Sequence, residues 1–83
     1  MSEINADDND VRWFDFQALI IGESDKAIRL AAPEHGLKPF WLPKSQVERL
    51  WYADDTGSRE IRKGKQIVQI ELPWWLAKEN GIV

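Results

Sequence analysis

Between residues 12 and 21 the chain alternates. Phe14, Phe16, Ala18 and Ile20 form one apolar face, and Trp13, Asp15, Gln17, Leu19 and Ile21 form a mixed one. Period-two alternation in a stretch rich in aromatic and β-branched residues predicts a half-buried strand. Gly22-Glu23-Ser24-Asp25 then supplies turn chemistry. Residues 26–32 predict a second strand, with Ile28 and Leu30 inward and Arg29 in water. In Pro33-Glu34-His35-Gly36 the proline presets a turn φ and the glycine accepts the positive φ that returns the chain. Residues 37–42 predict a third strand. Pro39 has no N–H for a ladder, which places this strand at an edge or a bulge.

Residues 43–48 read two ways. Ser45 followed by Glu48 matches a capping box, whereas Val47, Leu50, Trp51 and Tyr52 suit a strand; a turn leading into a short strand is the favoured reading. Asp54-Asp55-Thr56-Gly57-Ser58 is a loop, and the chain stays polar to Lys65. Residues 66–72 form the clearest strand pattern, with Val68, Ile70 and Leu72 on one face and Ile67, Gln69 and Glu71 on the other. Pro73 suits the first position of a helix, where its missing N–H is not needed. A helix over residues 74–80 then ends at Asn80-Gly81, with Leu76 and one tryptophan on the sheet. Four or five short antiparallel strands with a short C-terminal helix predict a mainly β fold, either a small OB-like or SH3-like barrel or a curled sheet. Residues 1–10 lack periodicity and carry only acids, which predicts a disordered leader before a single β-rich domain over residues 11–83.

Composition sharpens this picture. A chain of 83 residues buries only about 60–65% of the surface its unfolded form exposes. With no cysteine and a single histidine, it has neither a disulfide nor the ligands of a histidine or thiolate zinc site, so apolar packing must carry the fold. The absence of cysteine, the acidic and polar first residues and the lack of a long apolar run fit a cytoplasmic protein with no membrane partner. The net charge of −3 is unevenly spread: residues 1–10 hold four acids and no base, whereas residues 11–83 hold eleven bases and ten acids. Residues 38–65 alone hold seven bases and four acids.

No catalytic constellation is visible, and the expectation is a module that is not an enzyme and takes no cofactor or metal. His35 reads as a solvent-exposed turn residue, Ser45 as a turn or cap residue, and Asp54-Asp55 as solvated loop acids. The five glycines are isolated and make no phosphate cradle. The signal is aromatic. Nine aromatic side chains exceed what so small an interior hides; Phe14, Phe16 and Phe40 are assigned to the core, and Trp13 and Trp41 to the opposite pleat. Trp74 and Trp75 lie about 100° apart on the helix, so at least one is partly exposed.

Beside them runs the basic stretch Arg59-Glu60-Ile61-Arg62-Lys63-Gly64-Lys65. Exposed rings that stack bases, flanked by cations that neutralise phosphate, make a platform for single-stranded nucleic acid. On this reading Trp41 and Trp74 stack, and Lys44, Arg59, Arg62, Lys63 and Lys65 contact phosphate. The plainer alternatives are tryptophans that pack over the core and a solubilising hairpin tip. The same aromatics equally suit a host or phage protein partner, or a homodimer contact.

Trp41-Leu42-Pro43-Lys44-Ser45-Gln46-Val47, followed by Leu72-Pro73-Trp74-Trp75-Leu76-Ala77 and Gly81, resembles a pattern found in small bacteriophage, prophage and mobile-element proteins. There a strand ends in W-(I/L)-P-K-S-Q-(I/V), and a later strand runs into (I/L)-P-x-W-L-A-x-x-x-G. The resemblance covers most of residues 26–83 and implies a bacterial cytosolic setting without specifying an activity. Trp75 matches the pattern's tryptophan. Trp74, standing where a polar or acidic residue is usual, and the heavy opening Trp13-Phe14-Asp15-Phe16 are departures that add sticky surface.

Overall fold

The computed structural model describes residues 10–53 and 57–83. The acidic leader, apart from Asp10, and the Asp54-Asp55 pair lie outside the described residues. The alternating segment forms the long strand β1 (Val11–Glu23), followed by β2 (Ala27–Ala31), β3 (Phe40–Pro43), β4 (Arg49–Tyr52), β5 (Gln66–Pro73) and a helix, α1 (Trp74–Glu79). Single 3₁₀ turns fill Pro33–His35 and Lys44–Gln46. Ser45 therefore sits within a short turn that has no side-chain cap.

The five strands make one antiparallel sheet in the order β3-β2-β1-β5-β4. Its edges, β3 and β4, do not pair, so the sheet is open and no closed barrel forms. The proline-bracketed strand β3 does take an edge.

The inner face carries the core. Phe16, Ile20, Ile28, Leu30, Leu42, Leu50, Ile67, Ile70 and Leu72 are fully buried. From α1 and the chain beyond it, Leu76, Ala77 and Ile82 pack against them. No polar or charged residue is buried among the described residues. Phe14 and Phe40, both expected in the core, are only half-buried and pack at its margin, as does Trp75. Gly81 closes α1 with φ 77°, and its N–H donates to the Lys78 carbonyl. Pro73 belongs to β5 and caps the helix, one residue earlier than the sequence suggests.

One expectation fails inside β5. Ile67 is buried and Val68 is half-exposed, the reverse of the pattern read from alternation. Bulges cause the exchange. Between Asp15 and Ala18 β1 advances three residues while β5 advances two, and between β4 and β5 the register slips again at Val68. Each bulge shifts the parity of the pleat by one residue.

Candidate functional site

Among the described residues the interior is apolar apart from the Tyr52 hydroxyl, and the register shows what the outer face of the sheet presents. Near the start of β1, Trp13 lies opposite Glu71, which in turn lies opposite Arg49; one row on, Asp15 faces Gln69, which faces Trp51. Gln69 donates from Nε2 to Asp15 Oδ1 at 3.0 Å. Near the end of β1, Gly22 faces Arg29, which faces Trp41. Gly22 has no side chain, which lets the Trp41 ring lean across β2 towards β1. The Arg29 guanidinium lies 5.9 Å from the Trp41 ring centroid. Trp13 and Trp41 are 56% and 49% exposed, and Leu19 and Ile21 are also exposed between them.

The end of β1 near Gly22 also gathers charge. Lys26 lies in the turn from β1 to β2, and its carbonyl accepts from the Lys44 N–H at 2.8 Å. From the other side, the connection between β4 and β5 clamps onto Ile20, which receives the Gly64 N–H at 2.8 Å and donates to the Lys65 carbonyl at 3.0 Å. Lys26, Arg29 and Lys44 thus lie at the end of the sheet that carries Trp41, Lys63 and Lys65 lie across β1 from it beside Ile20, and Glu23 and Asp25 are the acids of the β1–β2 turn. Lys44 Nζ pairs with Glu23 Oε2 at 2.6 Å. Lys63 and Lys65 are exposed and form no ion pair among the described residues.

The structure places four of the seven residues singled out in the sequence at this end of the sheet, Trp41 and Lys44 on the β3 side and Lys63 and Lys65 across β1 from them. The side chains of the other three are engaged elsewhere. Trp74 follows β5 and sits at the opposite end of β1, where its N–H donates to the Asp10 carbonyl. Its ring is already stacked on Phe14 at 5.8 Å, with Arg12 at 4.7 Å and Lys78 at 5.6 Å. Arg59 pairs with Glu48 at 3.5 Å, near that same far end. Arg62 lies 4.9 Å over the buried Tyr52 ring and pairs with Glu60 at 3.2 Å. Sequence reasoning passed over Lys26 and Arg29. Alternation alone puts Arg29 in water; its cross-strand position beside Trp41 emerges only from the strand pairing.

His35 does more than fill a turn. β2 ends at Ala31, opposite Leu19, so beyond that point β1 has no strand on this side. The imidazole takes over, with its Nε2 accepting the Gln17 N–H at 3.2 Å and its ring 4.7 Å from that of Phe16. The only histidine is thereby committed to the ladder. Among the described residues no group of three histidine or acidic side chains stands close enough to hold a metal ion. No described helix is long and apolar enough to cross a membrane. No family model matches the chain, and neither a curated protein nor a solved structure shows significant similarity to it.

Proposed function

We propose that the protein is a non-catalytic module that binds single-stranded nucleic acid at the Trp41 end of the sheet. The observation supporting this reading is an exposed indole at an end of the sheet that also carries five cations, drawn from residues 26–29, 41–44 and 63–65, against the turn acids Glu23 and Asp25. An exposed ring offers a sequence-tolerant stacking surface, and surrounding ammonium and guanidinium groups neutralise phosphate. Trp41 is the stacking residue, and Lys26, Arg29, Lys63 and Lys65 are the phosphate contacts. Lys44 is held by Glu23 and supports the turn. A protein-binding reading is favoured at the far end, where Trp13 is the most exposed tryptophan.

The test is titration of tryptophan emission with a short oligothymidylate. Four phosphate contacts on a single strand give a log–log salt slope of about −3, so affinity falls about 50-fold between 50 and 200 mM salt. Trp41→Ala removes the quenching. The double variant Lys63→Glu/Lys65→Glu weakens binding at least about tenfold and flattens the slope. Absence of quenching at low salt, or binding indifferent to both variants, overturns the proposal.

A further inference from the structure

β1 is paired with β5 from Val11 to Leu19, but β2 covers its other side only from Leu19 to Glu23. Gln17 is served by His35. The Asp10 carbonyl accepts the Trp74 N–H, so at this end the even-numbered residues turn their peptide groups towards β5 and the odd-numbered ones turn away. The N–H and C=O groups of Val11, Trp13 and Asp15 therefore line an open edge, and none of the six finds a partner among the described residues. Natural edges are commonly blunted by proline, lysine, a bulge or a covering loop. Residues 11–15 contain no proline and no lysine, and the β1–β5 bulge begins only after Asp15.

We propose that this edge joins a second copy of the chain, β1 against β1 in antiparallel register centred on Trp13. The inference goes beyond the nucleic-acid reading and uses the opposite end of the strand. Its ground is self-complementarity. The open groups at residues 11, 13 and 15 are symmetric about residue 13. A two-fold axis there pairs Trp13 with its own copy and Val11 with Asp15, and satisfies all six groups on each chain. On the outer face the two exposed indoles meet as a cross-strand aromatic pair. On the inner face Arg12 lies opposite the copy's Phe14, whose ring already stacks on Trp74. Charge on one side and hydrogen bonding on the other select this register. Sliding it by one residue sets Arg12 against its own copy, and sliding it the other way drives Val11 against Gln17, whose N–H is already taken by His35. The pairing leaves both Trp41 ends free, at opposite extremities of an extended sheet.

Sedimentation equilibrium from micromolar to millimolar chain, without nucleic acid, tests it. The wild type shows a monomer–dimer equilibrium. Trp13→Lys and Trp13→Glu each raise the dimer dissociation constant about tenfold or more, because like charges then face each other across the axis. An equimolar mixture of the two variants recovers a heterodimer. Circular dichroism of each variant alone confirms that the exposed substitution has left the fold intact. Lys63→Glu/Lys65→Glu dimerises as the wild type does, so loss of nucleic-acid binding and loss of the dimer are read separately. A wild type that stays monomeric at millimolar concentration overturns the inference. So does a dimer indifferent to charge at residue 13, or a mixture that fails to recover association.

Discussion

The Tyr52 hydroxyl links the core to the basic connection, and Tyr52→Phe isolates what that link contributes. Tyr52 is 3% exposed. Its hydroxyl donates to the Glu60 carbonyl at 2.7 Å and accepts the Arg62 N–H at 2.8 Å. Both lengths are those of well-formed hydrogen bonds. Phenylalanine keeps the ring in the core and under the Arg62 guanidinium, so only the hydroxyl's bonds are lost. Two such bonds to part-buried backbone groups contribute about 1 kcal/mol each, giving a loss of about 2 kcal/mol. Against a total stability of about 4–12 kcal/mol for a chain of this length, that is a large fraction. The midpoint of thermal unfolding should fall by about 8–16 °C. Urea unfolding followed by circular dichroism measures the loss, and an unchanged m-value shows that the folded and unfolded states keep their exposed areas. Native-state hydrogen exchange then shows the Arg62 amide losing its protection. A loss below about 0.5 kcal/mol, or an Arg62 amide as protected as before, refutes the claim that this hydroxyl pins the connection carrying Lys63 and Lys65.

Two further outcomes follow from other contacts. His35→Ala removes both the acceptor of the Gln17 N–H and a ring packed on Phe16, and should cost about 1–3 kcal/mol in urea unfolding; His35→Gln, which supplies an acceptor without the ring, should recover part of it. At Gly57 the backbone has φ 95° and an added Cβ would collide with the Trp51 indole, so Gly57→Ala should destabilise by about 1–3 kcal/mol and shift the Trp51 emission. A neutral effect in either case would show that the contact does not contribute.

Much of the fold was legible because its elements obey local rules. The run Phe14, Phe16, Ala18, Ile20 marks one face of β1 unambiguously, and the buried face follows it. Pro39 pointed to an edge or a bulge, and β3 takes the edge, while Asn80-Gly81 marked where α1 stops. Ile67 and Val68 were misassigned because the bulges that exchange them arise from pairing between strands, and no glycine marks them in β1 or β5. The site was legible only as a list of residue types. Trp41 and Trp74 look alike in the sequence, yet one lies over a glycine on an open face and the other is enclosed by Phe14, Arg12 and Lys78. Likewise Lys44 finds its carboxylate 21 residues away in Glu23, and His35 serves Gln17 across 18 residues. Such partners depend on topology, which alternation alone does not specify.

The most direct measurement on the proposed binding end is an NMR titration of the isotope-labelled chain with oligothymidylate. The Trp41 indole and the amides of Arg29, Lys63 and Lys65 should move together and saturate at one stoichiometry, while the Trp75 indole at the core margin stays in place. Resonances that stay fixed throughout, or shifts centred on Trp13 and Trp74 instead, would contradict the assignment of that end as the nucleic-acid surface.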